Sequence, residues 1–177
     1  MFDNKEYYLF KKRGIILIEG KDRFKFIQGI ISNDIELLRK KPSIYTSFLT
    51  PQGKFQNDFF ISNFNGKFYL ECDGSEREEL VNKFEMYKLR LDVQIKITSD
   101  LKIILSKNRL NFLESSPSSI ISFYDPRFDN CFFSRTYVDS NFLNEIKKKL
   151  IEINDNKYEN LRLNNCIPDF SKDAIKN

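Results

Sequence analysis

The chain has 177 residues, of which 41% are hydrophobic and 31% are charged, and its net charge is +4. This balance is typical of a soluble globular protein with one ordinary domain or two small interlocked ones. The basic excess is scattered and does not favour a nucleic-acid surface. Histidine, the commonest general base and metal ligand, does not occur in the sequence. The N-terminus is too polar for a signal peptide, and no apolar run is long enough for a membrane helix.

In chain order, strand patterns alternate with short helical ones. Asn65-Gly66 predicts a tight hairpin turn, Asn33 is expected to cap a short helix, and Ser75 with Glu78 forms a capping box. Strands are predicted at residues 7–10, 14–20, 43–49, 54–63, 66–72, 91–97, 101–106, 119–125 and 131–138. Helices are predicted over residues 22–31, 35–39, from Ser75 to about Tyr87, over 139–154 and over 156–165.

Helices separated by runs of hairpin-like strands predict an α+β fold with antiparallel or mixed sheets, and not a doubly wound parallel one. Residues 107–118 have weak periodicity and are predicted to form a loop or an ill-ordered crossover. The three cysteines, Cys72, Cys131 and Cys166, show no metal-binding spacing. We therefore expect no metal site, and reduced, partly buried thiols in a cytoplasmic protein.

The strand predicted at residues 54–63 carries two poor strand formers, Asn57 and Asp58, at its centre. Period-2 alternation places Asn57 on the apolar face and Asp58 on the other face. Glu71 lies on the polar face of the next strand. Two interpretations of the Asp58 face remain open, the wet side of an amphipathic sheet and a ligand-binding cleft in which Asp58 is solvent-accessible.

Several segments together resemble one family. They are GIILIEGKDRFKFIQGIISNDI, YTSFLTPQGKFQNDFFI, SEREELVNKFEMYKLRLDVQIK, DPRF and ENLRLNNCIPDF. In this order they are similar to the YgfZ family, folate-binding proteins that assist iron–sulfur cluster assembly and are related to the aminomethyltransferase (T-protein) of the glycine cleavage system. The resemblance covers residues 14–177. It implies a T-protein-like N-terminal folate-binding fold over residues 1–177, with a subdivision near residues 45–106.

The resemblance also shows departures from the family. The signature K-G-C-Y-x-G-Q-E and the C-terminal barrel would follow Asn177, so we expect the chain to correspond to the N-terminal portion, with a mobile end over residues 171–177. Cys166 stands where the family has a glycine and is expected to be a small buried side chain. The T-protein has two successive aspartates where this chain has Asn57 and Asp58, and a pterin-contacting glutamate where it has Asn164.

The resemblance implies tetrahydrofolate as the cofactor, with iron–sulfur assembly proteins as partners and neither nucleic acid nor membrane. The implied folate-binding residues are Asp58, Asn57, Glu71, Tyr45 and Arg162, and no catalytic residue is assigned. Arg162 could meet the folate glutamate tail or pair with Asp169. Three functions remain open: a folate-binding assembly factor, a tetrahydrofolate-dependent aminomethyltransferase, which Asn57 and Asn164 disfavour, and a ligand-free interaction module.

Overall fold

The computed structural model describes residues 2–110, 120–128 and 133–173. The chain divides into two compact units. We call Lys12–Ser99, with the residues from Phe170 onward, the central unit, and the residues up to Lys11 with Asp100–Asp169 the flanking unit.

Both units combine strands with helices, which confirms the predicted α+β class. The strands are β1 (Glu6–Leu9), β2 (Arg13–Glu19), β3 (Ser43–Leu49), β4 (Phe55–Phe64), β5 (Lys67–Asp73), β6 (Gln94–Thr98), β7 (Lys102–Ser106), β8 (Ile121–Tyr124), β9 (Ser134–Val138) and β10 (Ile151–Glu152). The α-helices are α1 (Arg23–Gln28), α2 (Arg77–Tyr87), α3 (Ser140–Lys149), α4 (Asp155–Asn164) and α5 (Phe170–Asp173), and 3₁₀ helices cover Ile35–Arg39 and Gly74–Glu76.

The central unit contains an antiparallel sheet in the order β3-β4-β5-β2-β6. Asn65 and Gly66, with φ angles of 49° and 74°, make the predicted hairpin between β4 and β5. One face of the sheet packs against α1 and α2, because its alternate residues are apolar. This core includes Ile16, Ile18, Phe26, Ile27, Phe48, Phe59, Ile61, Phe68, Leu70, Leu80 and Phe84.

Two helix caps in the central unit differ from the predicted ones. Asp34, and not Asn33, caps the first 3₁₀ helix, since its carboxylate accepts a hydrogen bond of 2.9 Å from the Glu36 backbone N–H. The prediction of a capping box at Ser75 is wrong as well. Asp73 accepts from the Ser75 backbone N–H at 2.9 Å and from the Ser75 hydroxyl at 2.6 Å. A carboxylate two residues earlier has thus taken the capping role.

The flanking unit contains a mixed sheet in the order β10-β1-β7-β9-β8, in which β1 and β10 are parallel and the other pairs antiparallel. Asp139 caps α3 by accepting from the backbone N–H groups of Asn141 and Phe142. The helix ends at Lys149 and does not reach residue 154. Residues 151 and 152 instead hydrogen-bond beside β1, a non-local pairing that the helical pattern of the sequence does not show.

Some predictions fall outside the described residues. They concern Cys131, most of the loop at 107–118, the beginnings of the strands at 119–125 and 131–138, and the chain end over 174–177. In the part of the chain that the structure describes, none of the helices is both long and apolar enough to cross a membrane.

Candidate functional site

A polar cluster lies on the face of the central sheet opposite the helices. It consists of Arg13 on β2, Tyr45 on β3, Asp58 on β4 and Glu71 on β5. The sheet register explains the cluster, because Phe60 lies directly opposite both Tyr45 and Glu71. Residues that oppose each other on neighbouring antiparallel strands project to the same face. We call these four residues the Arg13 cluster.

Arg13 joins the two carboxylates of the cluster. Its Nε lies 2.6 Å from Oε1 of Glu71, and its Nη1 donates to Oδ2 and Oδ1 of Asp58 at 3.2 and 3.3 Å. Its Nη2 also donates to the backbone carbonyl of Glu71 at 3.2 Å. The guanidinium carbon lies 5.7 Å from the centroid of the Phe60 ring, within the range of a cation–π contact.

Tyr45 completes the cluster from the neighbouring strand. Its hydroxyl donates to Oδ2 of Asp58 at 3.1 Å, and its ring lies 4.8 Å from the Phe60 ring. Asp58 is 7% exposed and Glu71 is fully buried. The interpretation of this face as the wet side of a sheet is therefore wrong, and so is the expected solvent-accessible position of Asp58. Two carboxylates and one guanidinium give the cluster a formal charge of −1.

Asn57 does not join the Arg13 cluster. Its side-chain amide donates to Oε2 of Glu76, at the N-terminal end of α2, so it lies on the helix face of the sheet. There Asn57 lines a small polar cavity of about 190 Å³ together with Glu76, Glu79 and Lys83. Asn57 and Asp58 were predicted to contact the same ligand, but consecutive strand residues point to opposite faces.

Arg162, the fifth predicted site residue, belongs to α4 of the flanking unit. Its side chain is buried and ion-paired with Glu159, at 2.8 Å from Nε and 2.7 Å from Nη2. Its Nη1 donates to the backbone carbonyl of Ile167 at 3.3 Å. Glu159, one helical turn earlier, is a partner that the sequence analysis did not name. The guanidinium of Arg162 is thus held by Glu159 on the same helix and by the loop after α4.

The DPRF segment forms a second buried ion cluster, in the flanking unit. Asp125 accepts from Nε and Nη2 of Arg127 at 3.0 and 2.9 Å and from Nη1 of Arg135 at 2.8 Å. Burial alone would raise the pKa of Asp125, but the two guanidinium groups hold this pKa below its ordinary value. Arg127 also donates to the Pro168 carbonyl at 3.0 Å. This segment therefore ties the loop after α4 to β8.

The two described cysteines have opposite environments. Cys72 is fully buried in the central core, and burial raises the pKa of its thiol to about 12. Cys166 is exposed, which contradicts the predicted small buried side chain. Its φ angle is 54°, in the left-handed region that favours glycine. The backbone conformation thus explains why a glycine suits this position, although the side chain lies in solvent.

Arg13 is the site residue that the sequence analysis missed. It ends the run Lys11-Lys12-Arg13, which the pattern places in a basic turn between two strands. Its position two residues before Ile15, which pairs with Glu71, puts Arg13 on the face of that carboxylate. Alternation along β2 gives this signal, but only once the pairing of β2 with β5 is known. Among the described residues no cluster of histidine, cysteine, aspartate or glutamate could hold a metal ion.

No family model matches the chain. An iron–sulfur cluster assembly factor IBA57 homolog, mitochondrial, from Pyricularia oryzae is 33% identical over 94 residues, which are 51% of this chain and 24% of that protein. An aminomethyltransferase from Clostridium botulinum (strain Langeland) is 32% identical over 88 residues, which are 49% of this chain and 24% of that protein. The chain thus spans about a quarter of the length of these relatives.

The chain is similar in fold to a solved structure, the glycine cleavage system aminomethyltransferase T from Bartonella henselae. The TM-score is 0.67 at 10% identity, and the match covers 84% of this chain and 47% of that one. The family resemblance stated from the sequence is therefore confirmed at partial coverage. Iron–sulfur assembly factors and aminomethyltransferases are both homologous to about half of the chain, and the T-protein-like fold extends over most of it.

Proposed function

We propose that this chain is the folate-binding part of an iron–sulfur cluster assembly factor. The observation that carries the proposal is the similarity to relatives named IBA57 homologs, three of which are 31–35% identical over 92–96 residues. The T-protein-like fold supports a ligand-binding role for the central sheet. We further propose assembly proteins as its partners. The fungal relatives are named mitochondrial; for this chain we propose a cytoplasmic location, which its three cysteines without disulfide-framework spacing support.

The Arg13 cluster supplies the chemistry that a pterin needs. The pterin ring presents an amino group and an adjacent ring N–H, two donors in a plane, and carboxylates recognise such an edge bidentately. Asp58 and Glu71 are the carboxylates of this face, and Tyr45 holds Oδ2 of Asp58 in place. The guanidinium of Arg13 offers the carboxylates a similar planar set of donors. In this structure the flat, donor-rich group that these carboxylates accept from is the Arg13 guanidinium itself, and we propose that a pterin takes its place when folate binds.

An aminomethyltransferase is the second candidate, favoured by relatives of that name. The related enzymes place two successive aspartates in the strand that matches β4, according to the resemblance. This chain has Asn57 at the first position, and Asn57 bonds Glu76 on the helix face. A neutral amide also lacks the negative charge that stabilises a developing cation. These features favour folate binding without aminomethyl transfer.

A titration calorimetry experiment with tetrahydrofolate tests the proposal. We expect saturable binding, and Asp58→Ala should weaken it by about 1–3 kcal/mol, the range for a hydrogen bond to a charged group. Glu78→Ala, which removes an exposed carboxylate from α2, is the matched control and should leave the affinity unchanged. Absence of tetrahydrofolate binding to the wild type would overturn the folate role. Equal affinity for the wild type and Asp58→Ala would remove Asp58 from the site.

An assay of glycine cleavage with the other components of that system separates the two candidates. The assembly-factor proposal expects no aminomethyl transfer above the rate without this chain. Transfer that is lost in Asp58→Ala would instead establish the enzyme.

A further inference from the structure

A cavity of about 550 Å³ lies in the central unit, on the helix side of its sheet. It is formed where the end of α1 and the segment after it approach the end of β3, the following turn and the end of α2. Its lining is mostly apolar, and its walls include Phe26, Ile30, Ile31, Phe48, Tyr87 and Leu91. Phe48 points to the helix side, away from the Arg13 cluster. The cavity and that cluster therefore lie on opposite faces of one sheet.

The walls of the cavity combine a buried floor with an exposed rim. The Phe48 ring lies 6.1 Å from the buried Phe84 ring and 6.2 Å from Tyr87. Tyr87 itself is 47% exposed and Leu49 is 36% exposed. Two residues further along the chain, Leu89 is 84% exposed. Exposed apolar side chains that lie together, as Leu49 and Tyr87 do at this cavity, mark interaction surfaces more often than isolated ones do.

One positive charge stands at the cavity without an internal counter-ion. Lys25, in the last turn of α1, is exposed and makes no ion pair with any residue that the structure describes. The hydroxyl groups of Ser32 and Thr50 are occupied, since they accept from the backbone N–H groups of Ser47 and Lys54, each at 3.1 Å. The cavity therefore presents an apolar floor beside one ammonium group.

We propose that this cavity docks an acidic amphipathic segment of a partner protein, with apolar side chains on the floor and a carboxylate beside Lys25. The charge of Lys25 favours an acidic partner, because complementary charges select partners and speed their encounter. The volume exceeds that of a single side chain, the half-exposed wall residues Leu49 and Tyr87 are apolar, and the exposed Leu89 follows Tyr87 by two residues. These features fit several anchors on one helix face. The inference goes beyond the proposed folate site and does not depend on it.

Fluorescence anisotropy with two synthetic peptides tests the proposal. One peptide is an amphipathic helix with leucines on one face and glutamates on the other, and its twin carries lysine in place of every glutamate. We expect the glutamate peptide to bind and the lysine twin to bind at least about tenfold more weakly. Lys25→Glu should weaken the glutamate peptide by about tenfold, and Tyr87→Ala, at an exposed wall position, should weaken it as well.

Lys96→Glu on β6 is the matched control, since Lys96 is exposed and also has no ion pair among the described residues. It should leave the binding of the glutamate peptide unchanged. Circular dichroism of each variant verifies the fold, and amide chemical shifts of the wild type should change at Ile31, Phe48 and Leu91. Equal binding of the two peptides, absence of binding, or an equal effect of Lys25→Glu and Lys96→Glu would overturn the proposal. So would shift changes confined to residues outside the cavity.

Discussion

Arg13→Met should strongly destabilise the protein, because it leaves the carboxylates of Asp58 and Glu71 without the guanidinium that joins them. Glu71 is fully buried and Asp58 is 7% exposed, so water can replace little of the lost interaction. Removal of one partner from a buried ion pair costs about 3–5 kcal/mol. Methionine retains apolar contact with Phe60, so most of this loss should be electrostatic. We therefore expect the free energy of unfolding to fall by about 3–5 kcal/mol.

Urea denaturation at neutral pH measures this loss. Arg39→Met is the control, since the ion pair of Arg39 with Glu36 is exposed on both sides and should contribute little to stability. The double variant Arg13→Met/Asp58→Asn should lose less than the sum of its single variants, because Asp58→Asn removes one of the unpaired charges. A loss for Arg13→Met as small as that for Arg39→Met would refute the reasoning.

Two further predictions concern the buried carboxylate of Asp125 and the different exposure of Cys72 and Cys166. Asp125→Asn should lower the free energy of unfolding by about 3–5 kcal/mol at neutral pH. Because Arg127 and Arg135 hold the pKa of Asp125 below its ordinary value, the wild-type advantage should disappear as the pH falls from about 3.9 through the folded-state pKa. Urea titrations in which the difference stays constant through that acidic range would contradict this. Iodoacetamide treatment of a Cys131→Ser variant should label Cys166 in the folded protein and Cys72 only after unfolding. Mass spectrometry that finds Cys72 labelled first would contradict this assignment.

Sequence reasoning succeeded where the signal is local. The hairpin between β4 and β5 depends on two adjacent residues, Asn65 and Gly66, whose left-handed backbone makes the turn. The shared face of Asp58 and Glu71 follows from the period of a strand once that hairpin is known. Neither step needs information from distant parts of the chain.

Sequence reasoning failed where long-range pairing decides the result. Arg13 meets Glu71 because β2 pairs with β5 across more than fifty residues, and an arginine beside two lysines shows no sign of this. The end of α3 is set in the same way, since Ile151 pairs beside Glu6 of β1. The cap at Asp73 is a different case. It is local, but a carboxylate that accepts from two groups of Ser75 competes better than the serine hydroxyl alone.

The two central residues of β4, Asn57 and Asp58, are explained by the two faces of the strand. Asn57 bonds Glu76 at the start of α2, and Asp58 bonds Arg13 and Tyr45 on the other face. Each poor strand former thus joins the sheet to a neighbouring group, and these bonds compensate for its low strand propensity. The asparagine that replaces the first aspartate of the aminomethyltransferase pattern therefore lies on a different face of the sheet from the aspartate that is kept. An aspartate at position 57 would place its charge against the Glu76 carboxylate and leave the charge of the Arg13 cluster at −1, so the two positions serve separate environments.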